Sequence, residues 1–215
     1  EDLSQFLNDY YAEHGVQVLP GESVERLEGG HGHIHVVTSG GAMLHADAVV
    51  AGIGIEPNTG LADAAGLDTD DGVLVEPSLQ TSDPSIYAAG DVARFYNPAL
   101  GRRIRVEHED NANVMGEAAG RSMAGEAISY DHLPFFYSDL FELGYEAIGD
   151  LDPSLEVVSD WIEPYKKGLV YYLDEGNVRG VLLWDVWGKV DEARQLISEP
   201  GSFSAEDLKG RIQAD

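Results

Sequence analysis

Asp91 stands where a carboxylate can do chemistry. The run Thr81-Ser82-Asp83-Pro84-Ser85-Ile86-Tyr87-Ala88-Ala89-Gly90-Asp91 reads as a polar loop, a short apolar strand and then a single acid. A carboxylate just past a buried strand can accept hydrogen bonds from ligand hydroxyls at the carboxyl edge of a sheet. Ala88, Ala89 and Gly90 would let such a ligand come close to the backbone. The same acid can instead cap the turn that follows, and these residues alone leave both readings open. A second set is His31, His33 and His35, which alternate and would share one face of a strand. They follow Gly29-Gly30 in an apparent hairpin with no acid at ligand spacing, so exposed turn residues are expected there, and no metal site.

Composition limits the partners. Among 215 residues there are 39 acids and 13 Lys or Arg, a formal net charge of −26, and only four lysines: Lys166, Lys167, Lys189 and Lys209. Such a surface repels phosphate backbones, and the cluster Arg102, Arg103 and Arg105 is too small to reverse that, so no nucleic-acid partner is expected. With no cysteine there can be no disulfide, thiolate zinc site or iron–sulfur ligation within the chain. No apolar run approaches the ~18 residues that a membrane span needs. A cytoplasmic location is expected. The start at Glu1-Asp2-Leu3, without an initiator methionine or a signal peptide, reads as a cut inside a longer protein.

The elements that must position Asp91 follow from periodicity. Residues 3–14 carry Leu3, Phe6, Leu7 and Tyr10 at helical spacing. Residues 16–20, 23–29, 33–39 and 41–46 read as short strands between glycine turns, and 46–58 as a buried strand. A short helix is expected over 58–66, then strand over 72–81 and 84–91. The clearest helix is 107–124, with Ala112, Met115, Ala118, Ala119, Ser122 and Met123 on its packed face and Gly125 just beyond. After residue 130 the chain turns to aromatic strands, and two helices, 190–198 and 204–212, close it. Trp161, Trp184 and Trp187 are expected in the core of this part. The run Val181 to Trp187 is expected to be a central strand, with Leu183 and Trp187 inward.

Several of these segments together resemble a known family. Thr81, six residues, then Tyr87-Ala88-Ala89-Gly90-Asp91 is similar to the second flavin-binding motif of flavoprotein reductases with two dinucleotide domains. Gly52-Ile53-Gly54-Ile55-Glu56-Pro57-Asn58 resembles the place where such a chain leaves the NAD domain and re-enters the FAD domain. It is not a phosphate fingerprint, because no third glycine follows and no helix opens on it. Residues 95–125, 137–149 and 167–197 resemble the C-terminal half of apoptosis-inducing factor and its microbial homologues. The resemblance covers nearly the whole chain. It implies a combined α/β and α+β fold: the remnant of a doubly wound two-dinucleotide-domain reductase, followed by an antiparallel-sheet domain with helices. The implied parts are residues 1–52 from the NAD-binding domain, 53–130 as the second half of the FAD-binding domain, and 131–215 as the C-terminal domain.

The resemblance also implies roles. Asp91 would hold the ribityl chain of FAD, with Gly90 and Val92 beside it. Glu107, His108 and Glu109 would open the long helix at the flavin, where free N–H groups and the positive dipole end suit developing negative charge. Phe136 and Tyr137 would be an aromatic pair beside flavin and nicotinamide, and Tyr137 is smaller than the tryptophan of apoptosis-inducing factor. Glu146 would lie near the nicotinamide amide. FAD and NAD(P)H are thus the implied cofactors, with electrons passing to a ferredoxin-like protein, a quinone or oxygen. No side chain here is required as a general acid or base. A His-Pro pair with a nearby glutamate, the base of the disulfide-reductase branch, is absent, and His132-Leu133-Pro134 does not supply it. A homodimer is one expected assembly. A C-terminal interaction or dimerisation module with little activity of its own is the alternative reading, and this chain alone is expected to be inactive.

The acidity itself suggests a halophilic fold, suited to a salty cytosol where ions screen self-repulsion. Thermal unfolding in dilute buffer and then in molar salt checks this. The midpoint is expected to rise with salt, and an unmoved midpoint removes the idea.

Overall fold

The structure, a computed structural model, describes residues 3–30 and 33–214. His31 lies outside the described residues. The chain divides into two compact units, Glu1–Ile55 and Glu56–Asp215.

In the first unit, helix α1 (Leu3–Glu13) ends before Gly15, whose φ of 78° only glycine adopts freely. Strands β1 (Val24–Gly30), β2 (His33–Thr38) and β3 (Met43–Ala46) form an antiparallel meander. His33 and His35 belong to β2 rather than to a turn, and the His35 ring is half-buried against His45, with centroids 4.5 Å apart. No metal-binding cluster occurs among the described residues. Two expected strands are not formed. Residues 16–20 have no ladder, and residues 46–58 have none beyond Ala46, with Val50 96% and Ile53 91% exposed. A strand exists only through its ladder. No described strand pairs with this apolar segment, so its side chains stay in solvent.

In the second unit, helix α2 (Gly60–Ala64) precedes a small sheet of β4 (Val73–Leu74), β5 (Ala93–Asn97) and β6 (Arg102–Ile104). The strand expected over 84–91 shrinks to a single bridge, Gln80 to Tyr87, and Gly90–Val92 is a 3₁₀ turn. Gly90 has φ 74°, which turns the chain away from any ladder. Helix α3 (Glu109–Met123) packs on this sheet through Met115 and Ala119, which join Val75, Leu79, Ala93, Phe95 and Tyr130 in one apolar cluster. Met123 is 66% exposed. It is the last residue of α3, one turn past Ala119.

The rest is a five-stranded antiparallel sheet, β7 (Phe135–Leu140), β8 (Leu143–Gly149), β9 (Glu156–Glu163), β10 (Lys167–Asp174) and β11 (Asn177–Trp184). Their order is β7-β8-β11-β10-β9, so β11 is central and β7 is an edge. Helices α4 (Val190–Ser198) and α5 (Ala205–Leu208) contribute Ala193, Leu196, Ile197 and Leu208 to a core with Ile148, Leu169, Tyr171, Val181 and Leu183. The β10–β11 hairpin turns on Glu175 and Gly176, both with positive φ, the two-residue connection that suits strand twist.

Leu183 is fully buried as expected, and Trp184 is 1% exposed, but Trp187 is 48% exposed and Trp161 only half-buried. The strand stops at Trp184 because Asp185 adopts φ 51° and gives its N–H to the Gly144 carbonyl. Alternation ends there, and the Trp187 ring settles over Gly144, where a Cβ would meet it at 2.7 Å. Among the described residues no helix is long and apolar enough to cross a membrane.

Candidate functional site

Helix α3 begins without a side-chain cap. Its N-cap residue is His108, and Glu109 and Asp110 occupy the first turn. The first backbone N–H groups of a helix have no partner inside it, so an uncapped start leaves donors and a positive dipole end on offer. Here that start forms one wall of a cleft of about 410 Å³, lined by Glu107, His108, Glu109, Asp110, Asn113, Phe135, Phe136 and Tyr137. Five of the residues singled out in the sequence, Glu107, His108, Glu109, Phe136 and Tyr137, therefore share one wall-to-wall space. The His108 and Phe136 rings meet with centroids 4.8 Å apart, and Phe136 meets Tyr145 edge-on at 6.0 Å. Strand alternation sends Phe136 and Tyr137 to opposite faces of the sheet, yet β7 is an edge, and both reach the cleft.

Gly90, Asp91 and Val92 do not line this cleft; Val92 borders a separate apolar groove with Ala88 and Ala89. Their turn is fastened to α3 all the same. The Gly90 N–H points to Met115 Sδ at 3.3 Å. Arg105, whose side chain is 9% exposed, uses one nitrogen to donate to the Asp91 carbonyl at 3.2 Å and to Glu107 Oε1 at 3.0 Å. Arg105 Nε also donates to Asp71 at 3.2 Å. The Asp91 side chain is exposed, and among the described residues nothing is bonded to its carboxylate. In the sequence Arg105 belongs only to a weak basic cluster. Its flanking acids, Asp71 and Glu107, lie far apart in the chain and gave no sign of the bridge.

Burial lowers the His108 pKa below the ordinary histidine range, against the opposing charges of Asp110, Asp91 and Glu107, so its ring is neutral at neutral pH. Its Nδ1 is buried without a protein partner. Glu146 stands directly opposite Tyr137 in the ladder but off the cleft wall, and its Oε2 accepts the Gly188 N–H at 3.2 Å. Burial raises its pKa, and the Gly188 bond only partly opposes that.

The residues present fit a flavin. A neutral ring with an orphaned nitrogen, an uncapped helix start, an unpaired carboxylate and a glycine at positive φ meet around one helix end. Residues 1–116 match the model of the pyridine nucleotide-disulphide oxidoreductases. The chain belongs to that family. Residues 119–164 and 160–199 match the C-terminal model of mitochondrion-associated apoptosis-inducing factor.

The mitochondrial apoptosis-inducing factor 1 of Dictyostelium discoideum is 37% identical over 91% of this chain and 40% of its own length. Putidaredoxin reductase of Pseudomonas putida is 35% identical over 68% of this chain and 36% of its own length. Among solved structures, a ferredoxin reductase from Rhodopseudomonas palustris superposes with a TM-score of 0.85 at 28% identity, covering 95% of this chain and 51% of that one. The reductase in a covalent putidaredoxin reductase–putidaredoxin complex gives 0.83 at 30% identity, covering 91% and 48%. The chain thus spans less than half the length of the curated relatives named. The fold it shares with these oxidoreductases is the α/β and antiparallel-sheet arrangement described above.

Glu146 yields a signed expectation. Its pKa is raised on folding, so the proton is held more tightly by the folded chain. That contribution to stability is present below the ordinary carboxylate range and is lost as pH rises through the folded pKa. Glu146→Gln should therefore raise the unfolding midpoint at about pH 7.5 and lose that advantage near about pH 4. Thermal melts at the two pH values check this; a variant less stable at the higher pH contradicts it.

Proposed function

We propose that this chain supplies the flavin-facing and C-terminal part of a FAD-dependent NAD(P)H oxidoreductase, with residues 1–52 from its NAD-binding domain, 53–130 from its FAD-binding domain and 131–215 as its C-terminal domain. The observation that carries the reading is the cleft at the uncapped start of α3, with the Asp91 turn joined by Arg105 to Glu107 just before that helix and by the Gly90 N–H to Met115 within it. FAD would supply the acceptor for hydride from the nicotinamide and release electrons singly or in pairs.

The residues of this chain bind and orient. Asp91 offers a free carboxylate to the ribityl hydroxyls, and Gly90 and Val92 keep the backbone beside it open. The α3 start, with Glu107, His108 and Glu109, presents N–H groups to the ring edge where negative charge gathers. Phe136 and Tyr137 limit water and give flat surfaces for stacking. Glu146, held by Gly188, accepts from the nicotinamide amide. No proton has to move through a side chain of this chain. A ferredoxin-type protein is the acceptor best supported, since putidaredoxin is named in the complex of one structural neighbour. A cytoplasmic location, a homodimer and a salt-adapted surface complete the reading.

Asp91→Ala in the full-length protein tests it. Loss of charge-assisted hydrogen bonds should cost about 1.5–3 kcal/mol of FAD binding, roughly a ten- to hundredfold weaker dissociation constant. Flavin absorbance after gel filtration, followed by FAD titration, reads this. Unchanged affinity refutes the role of Asp91, and a full-length protein that takes up no FAD refutes the reading as a whole.

A further inference from the structure

One carboxylate oxygen behind the cleft gathers three parts of the chain. Asp110 Oδ2, in the first turn of α3, is 2.6 Å from His132 Nε2 and accepts from Arg194 Nη2 at 3.0 Å and from the Phe135 N–H at 3.3 Å. Arg194 comes from α4 and also donates through Nε to the Leu133 carbonyl at 2.8 Å and through Nη1 to Asp191 at 3.1 Å. Its guanidinium lies 5.5 Å from the centre of the Phe135 ring. The side chains of Asp110, His132 and Arg194 are only 17%, 18% and 23% exposed. Beneath them, the Tyr130 hydroxyl donates to buried Asn111 at 3.0 Å, on the residue after Asp110.

The consequence falls two residues before Asp110 and one residue after Phe135. Asp110 is two residues from His108, and Phe135 precedes Phe136, so the hub fixes the two chain segments whose rings face each other at 4.8 Å. The β8 ladder holds β7 on one side, and the Asp110 bond ties its first residue to the helix. Resting on the flavoenzyme reading above, we propose that Asp110 and Arg194 are positioning residues: the α4 arginine, through the Asp110 carboxylate, sets the spacing of His108 and Phe136 and so the geometry in which nicotinamide meets the flavin. Helix α4 would thereby act on the reaction without touching the reactants, and Arg194 would enter nicotinamide turnover through this contact.

Asp110→Asn, Arg194→Gln and Arg194→Lys in the full-length protein test this with two readouts. The first is the histidine ring proton resonances of flavin-free protein, recorded above the titration of His108 so that its charge is constant. The second is steady-state turnover of NADH by flavin-loaded protein, with flavin content measured alongside. Both Asp110→Asn and Arg194→Gln should shift His132; Arg194→Gln, which leaves in place the Asp110 charge that acts on His108, should shift His108 as well, because the Phe136 ring moves. Flavin content should hold while kcat/KM for NADH falls about tenfold, the scale expected of a small misplacement. Arg194→Lys keeps a cation but not both bonds, and should fall between. An unmoved His108 resonance overturns the proposal, and so does an unmoved kcat/KM. Should Asp110→Asn fail to fold, Arg194→Gln cuts the same hub from its other end. A parent protein that takes up no flavin would sink the enzymatic reading, while the resonance arm would still decide whether the hub sets the ring spacing.

Discussion

The site depends on a helix start that is left open and yet held still. Helix α3 has no side-chain cap, so its first donors point at a cleft instead of at a neighbouring hydroxyl or carboxylate. An open helix end frays unless its surroundings fix it. Here Asp110 does so, with bonds to His132, Arg194 and the Phe135 backbone. Hydrogen bonds to a charged group are each worth about 1.5–3 kcal/mol when little exposed. An exposed pair such as Lys166–Glu163, with both side chains about 60% exposed, is screened by water and ions and contributes little. In a chain with many acids, most charge is surface, and this small, half-buried set carries the structural weight.

The same economy of charge shapes the cleft. Asp91, Glu107 and Asp110 all draw His108 toward its protonated form, and burial prevails over them. A neutral ring tilted against Phe136 leaves the potential at the cleft unbiased, whereas a fixed cation would favour the reduced form of a flavin there. Glu146 shows the opposite arrangement: a carboxylate kept at an energetic cost, with a single backbone donor from Gly188.

Much of this was legible in the residues. The 3.6-residue pattern of α3 and the alternating, turn-bounded strands after residue 130 gave the helix and the five-stranded sheet, because each carries its periodicity locally. Segments 46–58 and 84–91 misled for one reason: their apolar character is that of a strand, but a strand needs partners, and none of the described strands pairs with them beyond one bridge. Trp187 misled because the positive φ of Asp185 ends the alternation two residues earlier. The motif residues Asp91, His108 and Phe136 could be named in advance. The contacts that hold them could not, since Asp110 and Arg194 meet across 84 residues and Arg105 reaches Asp71 across 34. Short-range pattern has no access to such pairs, although an arginine beside Ala193, near Leu196 and Ile197 on a packed helix face, was a sign that a buried partner waited for it.

The most direct test of the central claim is a crystal structure of the full-length protein with FAD bound. The account predicts the isoalloxazine in the cleft between α3 and β7, its electron-accepting edge toward the N–H groups of Glu109 and Asp110, and the ribityl hydroxyls on Asp91. Flavin density elsewhere, or a cleft at the α3 start filled by another side chain of the protein, would contradict it.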